Sequence, residues 1–175
     1  MKYGEDCCIG EFVDGKWVDS KKGKTSRGIL PKLQPFIYAD DGTDGWLLLE
    51  DFSVRINDEV ITVKVGFDYD LTSVPRLFWS LIGNPAGVRK ITAATIHDVL
   101  YATNRKPQKE CDDIFLELLE AFEESWLIRN NCWLAVRTGG QLVYPKTKKE
   151  LEDYKDFVVI TKLTKEPEVI KPLLS

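Results

Sequence analysis

The stretch GVRKITAATIHDVLYAT, residues 87–103, carries apolar or small side chains on nearly every side of a helix. A surface helix has an apolar stripe on one face only, so this pattern predicts a central helix that is buried all round. Within it lie His97, the only histidine of the chain, and Asp98. Burying a polar group without a partner costs free energy, so both residues need partners from other segments.

A second helix is predicted directly downstream. Pro107 is suited to the first turn of a helix, and apolar side chains recur at helical spacing over residues 111–122. At about 100° per residue, Asp112 falls on the border of this apolar stripe and Asp113 on the opposite side. We therefore expect Asp112 to face inward and Asp113 to be solvated.

A third helix is predicted over about residues 125–138, because Gly139-Gly140 is a typical C-terminal stop. Residues 157–163 then alternate in polarity like a strand. The tail over residues 166–175 contains prolines and is expected to be loosely held. No internal repeat or low-complexity tract is visible.

The first 70 residues alternate between turn signals and short runs rich in aromatic and β-branched residues, which indicates antiparallel strands. The last two runs flank a tight turn at Asn57-Asp58 and predict a hairpin. The predicted strands are residues 8–13, 16–18, 36–39, 46–56 and 60–67.

These elements predict an α+β fold in a single domain of 175 residues. An N-terminal antiparallel β meander with hairpins, over residues 1–70, packs on a C-terminal three-helix cluster over residues 76–140. One late strand completes the domain. The lysine-rich segment 21–24 is expected to be a loop rather than a binding patch.

The composition and net charge of the chain indicate which classes of partner are eligible. Hydrophobic residues make up 43% of the chain and charged residues 30%, as in ordinary globular proteins. The formal net charge is -4, so no positive field attracts duplex nucleic acid. A small anion is still an eligible partner, because one or two arginines bind phosphate whatever the net charge.

Neither a signal peptide nor a run of about 18 apolar residues is recognisable, so no membrane association is expected and a cytoplasmic location is the default. The four cysteines, Cys7, Cys8, Cys111 and Cys132, lack CxxC spacing and are expected to be reduced. With one histidine in the chain, a zinc site of the usual type is hard to assemble. The sequence does not indicate an oligomeric state.

The densest group of chemically useful side chains lies between the hairpin and the helices. Asp70, Thr72, Ser73 and Arg76 offer a carboxylate, two hydroxyls and a guanidinium within seven residues. Segments that follow a strand often carry binding groups. The alternative is structural, with Asp70 accepting backbone N–H bonds while Ser73 and Pro75 shape the turn.

The second group lies on the buried helix. Tyr101 is four residues after His97 and three after Asp98, so the three side chains share one neighbourhood. Because these polar side chains lie in an apolar helix, other segments of the chain must supply their hydrogen-bonding and charged partners. The candidate partners are Asp70, Arg76, Asp112 and Arg137.

Three uses of this cluster stay open. His97 can act as general acid or base, with Arg76 and Arg137 holding an anionic substrate. Alternatively, His97 and carboxylates could bind Mg²⁺ or Mn²⁺, although no cofactor is required. The third use is a structural network that ties the helices to the sheet. GxSxG, P-loop and GxGxxG motifs are absent, and little favours Ser73 as a nucleophile.

Taken together, the blocks resemble a phage- and prophage-associated family, domain of unknown function 1353, over about residues 45–140. The resemblance implies a small phage-encoded protein, but no particular reaction. It rests on WLLLEDF at 46–52, GF at 66–67, DL at 70–71, SVPR at 73–76, AA at 93–94, HD at 97–98, LY at 100–101, Asp112, Phe115, AVR at 135–137 and Gly139. The signature positions that it implies are Asp70, Ser73, Pro75, Arg76, His97, Asp98, Tyr101 and Asp112, with Cys111 in place of the usual alanine.

The leading hypothesis is a phage-encoded hydrolase, phosphodiesterase-like, of a small phosphate-bearing molecule in the host cytoplasm. A cyclic nucleotide immune signal is one candidate substrate. Its expected catalytic residues are His97, Asp98, Asp70 and Tyr101, and its expected substrate contacts are Arg76, Ser73, Thr72, Arg137 and Asp112. The alternative is a non-enzymatic phage protein, either a ligand-sequestering anti-defence protein or a tail or assembly component.

Overall fold

The computed structural model describes residues 7–19, 30–40, 42, 44–69, 88–140 and 148–163. These residues form an α+β fold in which antiparallel strands precede a group of helices. The strands are β1 (Cys7–Val13), β2 (Lys16–Asp19), β3 (Leu33–Ile37), β4 (Asp44–Leu48), β5 (Phe52–Ile56), β6 (Glu59–Val63), β7 (Asp68–Tyr69) and β8 (Val158–Lys162). The helices are α1 (Val88–Thr103), α2 (Gln108–Ala121), α3 (Trp126–Gly139) and α4 (Lys148–Tyr154), and a 3-10 turn spans Lys155–Phe157.

The larger sheet has the strand order β2-β1-β5-β6-β8, with every neighbouring pair antiparallel. The predicted hairpin is confirmed as β5–β6, and its turn places Asn57 at a φ of 55°, in the left-handed region. Asparagine tolerates this conformation better than most residues. The predicted late strand is also confirmed, because β8 pairs with β6 from the far end of the described chain.

The prediction of one continuous strand over residues 46–56 is wrong. Its first part lies in β4, which pairs with β3 and β7 in a separate three-stranded sheet, and its second part is β5. At the break, the Leu48 carbonyl accepts from the Gly66 N–H at 2.8 Å, and the Asp51 carboxylate accepts from the Val65 N–H at 2.9 Å. These bonds hold the chain in a corner where it passes between the sheets.

Other boundaries shift by a few residues. The strand predicted over 60–67 ends at Val63, and the one predicted over 36–39 lies at Leu33–Ile37. The helix α4 was not predicted at all. It is only seven residues long, so it contributes too little periodicity to stand out from its charged surroundings.

The buried central helix is confirmed as α1. Ile96, Val99 and Leu100 are completely buried, and α1 packs against α2 and β6. The sheet contributes Val54 and Ile61, which are likewise completely buried, to the same core. Each such side chain contributes roughly 1.5–3 kcal/mol by leaving water, so the position of α1 is strongly determined.

The orientation predicted for α2 is confirmed. Asp112 is completely buried, whereas the Asp113 side chain is 33% exposed and forms an ion pair with Lys109. Pro107, expected in the first turn, instead precedes the helix, and its carbonyl accepts from the Glu110 N–H at 2.9 Å. Because proline has no backbone N–H, residue 107 itself adds no unpaired donor at the helix start.

The start of α3 has an ordinary cap. Ser125 is the N-cap residue, and its side chain accepts a hydrogen bond from the Ile128 N–H at 3.3 Å. Such a bond satisfies one of the backbone donors that the first turn leaves free. This cap marks the residue at which α3 begins.

Candidate functional site

The Asp112 carboxylate is the centre of a buried polar cluster, in which three helices meet. It accepts hydrogen bonds from His97 Nε2 at 3.1 Å, from the Tyr101 hydroxyl at 2.5 Å and from Arg137 Nη1 at 3.1 Å. Burial by itself raises the pKa of Asp112, but the bonds from His97, Tyr101 and Arg137 outweigh it and hold the pKa below the ordinary 3.8. Asp112 is therefore a buried carboxylate anion that three protein donors stabilise.

His97 lies between two carboxylates. Its Nε2 faces Asp112, and its Nδ1 is 3.6 Å from Asp98 Oδ1. Burial by itself lowers the pKa of His97, but the hydrogen bonds and charges of Asp112 and Asp98 outweigh it and raise the pKa above 6.5. The two carboxylates therefore favour the protonated, imidazolium form of His97.

Solvent hardly reaches this histidine. The exposed fraction is 1% for His97, and Asp98 is also buried. Aromatic rings complete the enclosure, with the centroid of the Tyr101 ring at 4.1 Å and that of the Phe115 ring at 5.0 Å from the imidazole centroid. A proton on His97 is thus shared inside the protein rather than offered at an open surface.

Arg137 connects the cluster to solvent. Its side chain is 33% exposed, and Asp112 is the acceptor that holds its Nη1. Among the described residues, no second acceptor binds this guanidinium. A guanidinium has five N–H donors in a fixed fork, and the bond to Asp112 uses one of them.

Gly140 was predicted only as a helix stop, but its role here is steric. It has a φ of -62°, so the end of α3 needs no left-handed residue. A Cβ at this position would lie 2.9 Å from Tyr101 Cε1 and closer still to the hydroxyl, and 3.1 Å from Gln108 Nε2. The glycine thus makes room for Tyr101 beside Asp112, and sequence spacing gave no sign of this contact.

The sequence also did not single out Tyr69 and Thr95, which extend the cluster toward the small sheet. Both are buried, and their hydroxyl oxygens are 2.5 Å apart. Thr95 donates to the Ile91 carbonyl at 2.8 Å, so Tyr69 must be the donor to Thr95. Burial raises the pKa of Tyr69, and the nearby charge of Asp98 adds to the rise. The sequence spacing could have indicated Thr95, since it lies three residues before Asp98 on the same helix and therefore on the same face.

Five of the predicted site residues are thus brought together by α1, α2 and α3. They are His97, Asp98, Tyr101, Asp112 and Arg137. The other predicted site residues, Asp70, Thr72, Ser73 and Arg76, lie outside the described residues, as does Pro75. Their membership of the site therefore stays a prediction.

Metal binding finds no support in the described part of the chain. Within it, no group of three His, Cys, Asp or Glu side chains is arranged to hold a metal ion. Both Asp112 oxygens accept hydrogen bonds from protein donors. Cys111 and Cys132 are buried free thiols, and burial raises their pKa to about 12 and about 11, so both are neutral.

The fold and the site define an α+β protein with a histidine held between carboxylates beneath a partly exposed arginine. The chain belongs to the family described as protein of unknown function, DUF1353, which matches residues 46–136, just over half of the chain. No curated protein and no solved structure matches it significantly. Of the helices in the described ranges, none is long and apolar enough to cross a membrane.

Proposed function

We propose that this protein binds a small phosphate-bearing molecule through Arg137, and that binding rather than turnover is its function. The observation that carries the proposal is the state of Arg137, which a buried carboxylate anchors through one nitrogen while a third of its side chain faces solvent. A guanidinium held in this way can bind a phosphate through hydrogen bonds from its remaining N–H groups. The protein would then act by sequestering its ligand.

The buried residues account for the rigidity of this arginine. Asp112 is completely buried, and its Oδ1 accepts from His97 and Tyr101 while its Oδ2 accepts from Arg137. Because the carboxylate cannot turn away, Arg137 is positioned before any ligand arrives. Preorganisation of this kind lowers the ordering cost of binding.

The enclosure of His97 favours binding over hydrolysis. A general acid or base must come within hydrogen-bond reach of the atom it protonates or deprotonates. With 1% of its surface exposed and with carboxylates facing its two nitrogens, His97 has no free position for a substrate. In this proposal its role is to hold Asp112.

The test is a thermal shift screen of the full chain with inorganic phosphate, linear and cyclic mononucleotides and cyclic dinucleotides. A ligand at 100 times its Kd stabilises the folded state by about 2.7 kcal/mol. For a domain of this size that is an increase of about 5–11 °C in Tm. We expect such a shift for at least one phosphate compound.

The matched variants are Arg137→Gln and Arg129→Gln. Both arginines lie on α3 and form an ion pair with an acid of α2, but Arg129 is at the other end of the helix, where it meets Glu120. The shift should disappear in Arg137→Gln and persist in Arg129→Gln. No shift with any compound, or equal loss in both variants, would refute the proposal.

A phosphodiesterase-like hydrolase is the second candidate function. The observation in its favour is the raised pKa of His97, since strongly perturbed titratable groups cluster at catalytic sites. Incubation with the same compounds, with and without EDTA, tests it by chromatography of the products. Turnover that His97→Asn abolishes would support the hydrolase, whereas intact compounds throughout would exclude it for this panel.

The biological setting is part of the same proposal. The phage association of the family resemblance supports a phage-encoded protein, and the described part of the chain contains no helix that could span a membrane. We place the protein in the host cytoplasm, where removal of a phosphate-bearing defence signal would protect the phage. Expression in bacteria that carry such a signalling system, followed by phage challenge, tests this setting against a tail or assembly role.

A further inference from the structure

We propose that Trp133 and Arg137 together bind a phosphate ester that carries a planar aromatic group, with the phosphate on Arg137 and the aromatic ring on the Trp133 indole. A nucleoside monophosphate is the simplest such ligand. This inference rests on the proposed function, because it takes Arg137 as the anion contact and adds what determines specificity.

The two side chains emerge close together from α3. They are four residues apart, which places them on one face of the helix at a rise of about 6 Å. That separation suits the distance between the phosphate and the base within one nucleotide. Trp133 is only partly buried, so some of its surface is accessible to a ligand.

Two consecutive acids of α2 anchor this pair. Arg137 Nη1 donates to Asp112 at 3.1 Å, and Trp133 Nε1 donates to Asp113 at 3.3 Å. The indole ring is therefore oriented by its own hydrogen bond, just as the guanidinium is. A preset indole loses little freedom when a base stacks on it.

Each acid that anchors the pair has a second basic partner. Asp113 forms an ion pair with Lys109, and Asp112 accepts from His97 as well as from Arg137. Both acids that anchor the pair thus have basic side chains beside them. A phosphate at Arg137 meets no unbalanced negative charge from them.

Trp126 provides an internal comparison. It is 68% exposed and lies on the same helix, so it is more accessible than Trp133. However, it is eleven residues from Arg137, a rise of about 16 Å, which exceeds the reach of a mononucleotide. Trp126 should therefore be irrelevant to this ligand.

The experiment is calorimetric titration of the full chain with adenosine monophosphate, ribose 5-phosphate and inorganic phosphate. In the wild type we expect adenosine monophosphate to bind about tenfold more tightly than ribose 5-phosphate, within the range that stacking on an aromatic side chain gives. Trp133→Leu should reduce this ratio to about one and leave the ribose 5-phosphate affinity unchanged. Trp126→Leu should keep the full ratio.

A ratio near one in the wild type, or a ratio that survives Trp133→Leu, overturns this inference while leaving Arg137 as an anion contact. If none of the three compounds binds, the proposed function fails as well. If Trp133→Leu does not fold, NMR of the wild type tests the inference instead. The resonance to follow is that of the Trp133 Nε1–H, which Trp133→Phe assigns. It should shift with adenosine monophosphate and stay in place with ribose 5-phosphate, and no shift with either overturns the inference.

Discussion

Replacement of Asp112 by asparagine is expected to destabilise the protein more than any other single change in the cluster. The side chain is completely buried and accepts from His97, Tyr101 and Arg137. Asparagine is nearly isosteric, but it is neutral and turns one acceptor into a donor that faces other donors. His97 would then keep Asp98 as its only described carboxylate partner.

The magnitude follows from burial. Removal of one partner from a buried charged pair costs about 3–5 kcal/mol, because the remaining charge stays in the interior. For a domain of this size, such a cost lowers Tm by about 6–20 °C. Asp113→Asn is the matched control, since this neighbouring acid is 33% exposed and pairs with an exposed lysine. An exposed pair contributes only about 0–1 kcal/mol.

The assay is urea unfolding followed by far-ultraviolet circular dichroism, with the slope m checked for constancy between variants. Equal, small losses of free energy for Asp112→Asn and Asp113→Asn at pH 6 would refute the reasoning. Such a result would mean that the carboxylate is not the charged centre of the cluster.

The pH dependence gives an independent check on the same variant. The pKa of Asp112 is lowered, so its stabilisation is present above 3.8 and is lost as the pH falls through the folded-state value. The pKa of His97 is raised, so its stabilisation is complete below 6.5 and is lost as the pH rises through the folded-state value. The loss caused by Asp112→Asn should therefore be largest between pH 3.8 and 6.5 and decrease above that window. A loss that grows from pH 6 to pH 9 would contradict this assignment.

Three further outcomes are expected. The imidazole of His97, the only histidine, should titrate above pH 6.5 by NMR and at a lower pH in Asp112→Asn; a wild-type value at or below 6.5 would count against the ion pair. Gly140→Ala should cost about 1–3 kcal/mol in thermal unfolding because its Cβ would clash with Tyr101, and Tyr101→Phe in the same chain should recover part of that cost. Purely additive losses would argue against the clash. Lys106→Met should cost about 1–3 kcal/mol in urea unfolding, because the buried ammonium donates to two glutamates, and a change below the measurement error would show that these bonds are not needed.

The local pattern of the chain predicted which side chains would be buried. Periodicity alone placed α1 in the core and turned Asp112 inward and Asp113 outward, because each helical position corresponds to one direction around the helix axis. It also predicted that His97 and Asp98 need partners, since their burial without partners would be costly. These inferences depend only on neighbours along the sequence.

Only the tertiary structure decided which partners meet. The contacts of Asp112 with Arg137 and of Tyr69 with Thr95 join residues that are 25 and 26 positions apart, and no local spacing encodes them. The division of residues 46–56 between two sheets was missed for the same reason, because the bonds that bend the chain there come from the segment after β6.

The sequence by itself thus determined an α+β fold around a buried helix whose histidine requires partners from other segments. The packing of three helices decided that His97 is enclosed between two carboxylates. It also decided that, within the described residues, Arg137 is the one member of the cluster whose side chain reaches the surface. The physical reason is that burial follows from the polarity of each residue, whereas exposure of a polar group depends on everything packed around it.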